Sequence, residues 1–91
     1  MNAPKREAWF VYIIECRDAS LYTGIARNVQ KRLATHNAGK GSKAVRGRLP
    51  AALVFFEKKY SRSAALRREA AIKRMTRLQK TALIHSVREA R

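Results

Sequence analysis

Acidic residues are scarce: six Asp and Glu stand against 21 Lys and Arg in 91 residues, a formal net charge of +15. An excess this large makes a polyanion the expected partner, with nucleic acid ahead of an anionic membrane surface. Cysteine occurs once, at Cys16, which excludes a disulfide framework and any zinc site built on cysteines. Asp18 is the only aspartate and falls in a turn-like stretch, so no Ser-His-Asp set is available. No paired carboxylates stand ready for glycosidase chemistry. No apolar run approaches the ~20 residues of a membrane span, and the polar segment Met1 to Glu7 lacks a signal-peptide apolar region. The hydrophobic share, 46%, is too high for a disordered basic tail, and the length suits one core. The expectation is a soluble protein of a reducing compartment, cytoplasmic and nucleoid-associated, that does not engage membranes.

Residues 1–8 are expected to be a flexible start, 9–88 a single domain and 89–91 a tail. Trp9 to Cys16 (Trp-Phe-Val-Tyr-Ile-Ile-Glu-Cys) is apolar on both faces, the pattern of a central strand. Turn residues Arg17 to Ser20 lead into a shorter strand, Leu21 to Ala26, so the pair reads as an antiparallel hairpin. Asn28 is an N-cap for a helix to about Asn37, with Val29 and Leu33 as its apolar pair. Residues 38–49 form a basic Gly/Lys loop with at most one helical turn. Ala51 to Tyr60 is a third strand, Ser61 or Ser63 caps a helix to about Arg74, and Thr76 caps a last helix to about Arg88. Leu78, Ala82, Leu83 and Val87 are the expected apolar face of that last helix. The fold class is α+β, a three-stranded, mostly antiparallel sheet flanked by helices in the order β-β-α-β-α-α.

Four features carry chemistry. Tyr12 and Tyr22 lie on the two hairpin strands, where pairing can bring them together on one face. Each alone reads as a core aromatic with its hydroxyl at the edge. Gly24 inside a strand marks a close approach by another backbone or a ligand. Arg32 and His36 lie one helical turn apart beside the apolar pair, and by default their heads reach water. Glu69 is the only acid between Lys58 and Arg88, a stretch with ten Lys or Arg. It stands three residues after Leu66 and three before Ile72, which turns it inward, while Arg67, Arg68 and Arg74 face out. An ion pair explains such a carboxylate, and so does a hard divalent cation, which needs only one or two when water and phosphate oxygens complete its shell. Gly39-Lys40-Gly41-Ser42-Lys43 has the wrong order for a Walker loop. Lys40, Lys43, Arg46 and Arg48 of this loop, with Arg68, Lys73 and Arg74 of the following helix, form a candidate track for a nucleic-acid backbone.

Together these residues resemble a known family. Phe10-Val11-Tyr12, ten residues before Tyr22-Thr23-Gly24, resembles the paired motifs of the GIY-YIG nuclease superfamily, with Phe10 in place of the first motif's glycine. Arg32 follows the second tyrosine at the family's offset, His36 stands one turn later, and Leu66-Arg67-Arg68-Glu69-Ala70-Ala71-Ile72-Lys73 is similar to the metal-binding helix. The similarity runs from about Trp9 to Ile84 and is greatest to small stand-alone bacterial members. It implies hydrolysis of phosphodiester bonds with one divalent ion, Mg²⁺ or Mn²⁺, held by Glu69. Arg32 would stabilise transition-state charge, and Tyr12 or Tyr22 would position and deprotonate water, nearby cations lowering a phenol pKa of ~10. His36 would take or relay a proton, and Gly24 would leave room at the site. DNA is favoured over RNA, with structure-selective or weakly sequence-specific cleavage and a setting in DNA repair or recombination. The alternative is a non-catalytic nucleic-acid-binding module with a vestigial site. Oligomeric state stays open between monomer and weak dimer.

Overall fold

The structure, a computed structural model, describes residues 8–89. Most of the expected flexible start and tail, residues 1–7 and 90–91, lies outside the described residues. Three strands form one sheet: β1 (Trp9–Glu15), β2 (Leu21–Ala26) and β3 (Ala52–Lys59), in the order β2-β1-β3. Both pairings are antiparallel, so the sheet is wholly rather than mostly so. The central place of β1 follows from its unbroken apolar sequence, because both of its faces are covered. Val11 and Ile13 point to one face, Tyr12 and Ile14 to the other. A register shift opposite Ile13 and Ile14 leaves Val54 as an extra residue of β3, a bulge no residue pattern announces.

On the Tyr12 face lie α1 (Val29–Asn37) and the single turn α2 (Lys43–Arg46), which seals that core with Val45. Asn28 caps α1, its Oδ1 accepting from the Lys31 amide at 2.9 Å. Asn37, at the other end, clasps the start of β3. Its side chain accepts from the Ala51 amide at 2.8 Å and donates to the Ala51 carbonyl at 3.0 Å.

On the opposite face, α3 (Arg62–Lys73) and α4 (Arg77–Glu89) bury Ala65, Ile72 and Ile84 against Val11, Ile13 and Phe55. Ser61, not Ser63, caps α3. Thr76 and Gln79 cap α4 reciprocally: the Thr76 amide donates to Oε1 of Gln79, and the Gln79 amide to Oγ1 of Thr76. The expected apolar face of α4 is corrected in part. Leu83 and Val87 pack on the core with Ile84, but Leu78 is 81% exposed and Ala82 also faces solvent. Helical period groups residues into stripes, and the docking angle on the sheet decides which stripe is buried. Leu66 of α3 is likewise exposed, and Ala65 takes the inward position.

Candidate active site

Cross-strand register places the first three residues of the site. Tyr12 faces Gly24 across the β1–β2 ladder and Tyr22 faces Ile14, so the tyrosines are diagonal neighbours on one face. Gly24 gives Tyr12 its place. A Cβ at position 24 would lie 2.6 Å from the Tyr12 hydroxyl and 2.8 Å from Cζ, closer than atoms can approach. The close approach at Gly24 is made by the side chain of Tyr12, not by another backbone or a ligand.

Helix α1 then delivers Arg32 and His36. His36 does not snorkel: it is 1% exposed. Its Nε2 lies 2.9 Å from the Tyr12 hydroxyl, and its ring stands edge-on to Tyr22 with centroids 5.4 Å apart. Nδ1 is buried without a hydrogen-bond partner among the described residues. Burial lowers the His36 pKa below its usual range, and the charge of Arg32 lowers it further, so the imidazole is neutral at pH 7.

The Gly/Lys loop explains how His36 is enclosed. Gly39 adopts φ +77°, and the Gly39 and Lys40 amides donate to the carbonyls of His36 and Thr35. This is a Schellman end to α1, which glycine accommodates without a Cβ penalty. The chain then turns so that Gly41 lies against the His36 ring, where any Cβ would collide with Nδ1. The two glycines thus close the helix and cover the imidazole, a role the sequence reading did not give them. The only signal available was the Gly-x-Gly spacing directly after the helix.

Tyr12 is as buried as His36, and burial pushes its hydroxyl pKa above the ordinary value. The Arg32 guanidinium, close enough to hydrogen-bond that hydroxyl, opposes the shift, while negative charge on Tyr22 or Glu69 reinforces it. Around Tyr12 the loss of water outweighs Arg32, so the protein's own residues do not by themselves lower this phenol's pKa. Tyr12 and Tyr22 meet His36, with Arg32 beside them, and the carboxylate of Glu69 on α3 lies near enough for its charge to act on Tyr12.

Glu69 turns inward as expected, for a different local reason. It stands four residues after buried Ala65 and three before buried Ile72, on one helical face. Its side chain is 18% exposed, and Oε2 lies 3.3 Å from Nζ of the exposed Lys73. Among the described residues, no three His, Cys, Asp or Glu side chains group into a metal cage. One half-buried carboxylate fits a hard ion such as Mg²⁺ or Mn²⁺ whose shell is completed by water and phosphate oxygens. It does not fit a structural zinc site.

The candidate basic track is only partly available. Arg46 Nε donates to the Gly41 carbonyl at 3.3 Å, and Arg48 lies 3.6 Å from Asp18 and donates to Ser20 at 3.4 Å. Arg68 does not face out: its Nε meets Glu57 of β3 at 2.8 Å in a half-buried ion pair. Lys73 pairs with Glu69. Lys40, Lys43 and Arg74 are exposed and, among the described residues, form no ion pair.

Comparison with known proteins gives the family and the fold. The chain is 52% identical over 75 residues to UPF0213 protein SH2523 of Staphylococcus haemolyticus, covering 82% of this chain and 92% of that one. It is 54% identical over 74 residues to UPF0213 protein HQ_3675A of Haloquadratum walsbyi, covering 81% and 83%. Two solution NMR structures share the fold. The protein EF2693 from E. faecalis matches with TM-score 0.61 and 33% identity, over 97% of this chain and 92% of that one. The UPF0213 protein BH0048 from Bacillus halodurans matches with TM-score 0.56 and 40% identity, over 86% and 83%. No helix among the described residues is long and apolar enough to cross a membrane. The GIY-YIG catalytic domain model matches residues 8–82, across the sheet, the enclosed Tyr12–His36 pair and Glu69, and the chain belongs to that nuclease-type domain family.

Proposed function

We propose that this protein is a metal-dependent endonuclease that hydrolyses phosphodiester bonds in DNA, selecting structure more than sequence, in a setting of DNA repair or recombination. The observation that carries the reading is the Tyr12–His36 hydrogen bond at 2.9 Å, buried beside Arg32, Tyr22 and Glu69. Burying a tyrosine hydroxyl against an imidazole with an unpartnered Nδ1 costs stability, and such strain concentrates where chemistry is done.

The proton chemistry follows from the two pKa directions. Tyr12 keeps its proton at neutral pH, so it cannot serve as a standing phenolate. It can orient a water at its hydroxyl oxygen and take that water's proton while passing its own to Nε2 of His36. His36 is neutral and therefore able to accept. Arg32 is a permanent cation whose planar fork suits phosphate oxygens, and it balances the charge that builds as the water adds to phosphorus. Tyr22, edge-on to His36, fixes the ring that receives the proton. Glu69 would hold the divalent ion against the substrate phosphate, with the Lys73 ammonium giving way at the exposed side. A bound ion supplies Lewis-acid stabilisation of the phosphate and of the leaving oxygen. No helix presents a set of base-reading side chains, which favours recognition of strand shape.

The test is a cleavage panel of single-stranded, duplex and branched DNA and RNA with Mg²⁺ or Mn²⁺. Metal-dependent cutting of DNA that chelation stops is expected. Binding to these substrates with no cutting under any metal would favour the non-catalytic reading.

A further inference from the structure

Two aromatic side chains stand outside both apolar cores. Phe10 of β1 and Phe56 of β3 meet edge to face, with ring centroids 6.2 Å apart and planes at 65°. Neither belongs to the two clusters that hold the sheet to its helices. Phe56 is 45% exposed on an edge strand, where an open apolar side chain is a liability. Register sets it opposite Tyr12, so it lies on the sheet face that carries Tyr12, away from α3 and α4. Phe10 shares that face, two residues before Tyr12, and stands where the first paired motif has glycine.

The two rings line a groove of about 300 Å³, with Val29 at the start of α1 and Leu53 of β3 as its other apolar residues. That volume is within the range of small-molecule sites. Among the described residues no acidic side chain lines it. Exposed Gln30, whose amide can donate and accept, also lines it. Exposed Lys58 stands opposite Phe10 across the β1–β3 ladder and forms no ion pair among the described residues.

A ligand for this groove is flat and apolar where it meets the rings and anionic around them. A second copy of the chain is disfavoured by charge, since each copy carries +15. A nucleobase meets both demands, because its face stacks on an aromatic ring while its backbone meets a basic surface. A second groove, of about 510 Å³, holds Lys31, Arg32 and Thr35 with Ile25 and Ala26 of β2. Asn28 lines both grooves, so they join around the start of α1. The helix presents no acid in its first turn there, which leaves the passage open to phosphate.

We propose that the Phe10–Phe56 groove is a stacking subsite for an unpaired base on the strand whose phosphate lies at Arg32, which makes single-stranded or branched DNA the substrate class. Bases inside an intact duplex are covered by their neighbours and cannot enter the groove without leaving the stack. The proposal rests on the nuclease reading for where the cut bond lies, but its test measures binding alone.

Binding of fluorescently labelled single-stranded and duplex DNA is measured by anisotropy in EDTA over a range of salt concentrations. Phe56→Ala is compared with the wild type and with Leu78→Ala, which removes another exposed apolar side chain, on α4. Phe56→Ala is expected to bind the single strand roughly fivefold or more weakly, the loss of one base–aromatic stack, and to bind duplex within about twofold of the wild type. Its log–log salt slope is expected to be unchanged, because no phosphate contact is removed. Leu78→Ala is expected to match the wild type on both ligands. Phe56→Trp keeps a stacking ring and is expected to bind the single strand as tightly as the wild type. Its added indole should be quenched by the strand beyond any quenching of Trp9 in the wild type. Single-strand binding by Phe56→Ala within about twofold of the wild type would overturn the proposal, as would an equal loss on duplex or in Leu78→Ala. A dimer that Phe56→Ala converts to monomer in sedimentation, with DNA binding intact, would assign the groove to a second copy and overturn it too. A wild type that shows the expected binding differences yet cuts no substrate with metal would remove the nuclease reading and leave the stacking subsite standing.

Discussion

One face of the sheet carries Val11, Ile13 and Phe55 beneath α3 and α4, and the other carries Tyr12 and Ile14 beneath α1 and α2. Both faces draw on the same strand, since β1 alternates residue by residue. The first is apolar but for Thr23, which is buried opposite Ile13 on β2. The second buries a hydroxyl and an imidazole against each other and leaves Nδ1 of His36 without a partner. An unpaired buried polar atom costs about 1–3 kcal/mol, which a small domain can tolerate at one place and not at several. The difference teaches that the α3 and α4 face supplies stability and the α1 and α2 face consumes some of it to hold reactive groups. Glu69 is carried by α3, which packs on the first face, and only its charge reaches Tyr12 on the second.

That contrast can be broken from either side. Ile72→Ala should have the largest effect on stability, about 2–5 kcal/mol, because Ile72 is fully buried in the apolar core. At roughly 4–8 °C per kcal/mol for a domain this size, calorimetry should show a fall in Tm of about 8 °C or more. Cleavage by the fraction that remains folded should be unchanged. Arg32→Ala should do the reverse, costing ~3–4 kcal/mol of transition-state stabilisation while Tm moves little. If it weakens DNA binding and keeps kcat, Arg32 is only an anchor.

Gly24→Ala should disturb both properties, by about 1–3 kcal/mol in stability and a larger factor in kcat, since the new methyl displaces the Tyr12 ring. Tyr12→Phe should relieve part of that clash, so chemical denaturation of the double variant should reveal less than additive losses. The smallest effect is in pH. The folded pKa of His36 lies below the unfolded value near ~6.5, so between the two the unfolded chain binds the extra proton. Stability should be full above ~6.5 and decline as pH falls through that window. Tyr12 from β1, Tyr22 from β2 and Arg32 on α1 face His36, and none supplies a carboxylate to hold an imidazolium. Thermal melts between pH 7.5 and 5 should slope less for His36→Gln than for the wild type.

Much of the fold was legible because local chemistry and tertiary role coincide. β1 reads as central from its two apolar faces, and Asn28, Ser61 and Thr76 cap the helices that follow them. The site residues were legible as a set through family spacing, while their surroundings were not. Arg68 reads as a surface cation until β3 brings Glu57 beside it, a pairing that depends on the docking of α3. Leu78 reads as core until the angle of α4 turns Ile84 inward in its place. The burial of His36 depends on a loop that returns over its own helix, and no residue pattern measures that enclosure. The Tyr12 pKa direction required knowing how much water burial removes, which residue type alone does not state.

The central claim is that an enclosed proton-transfer pair and one inward carboxylate together make a phosphodiesterase. It is tested most directly by titrating DNA cleavage with Mg²⁺ or Mn²⁺ in the wild type and in Glu69→Gln. The carboxylate's pair with the exposed Lys73 contributes no more than about 1 kcal/mol to folding, so the variant should keep its fold and its DNA binding. The predicted result is metal-dependent cleavage by the wild type and a loss of at least ~10²–10³-fold in the variant at every metal concentration. Equal cleavage by the two proteins would contradict the account.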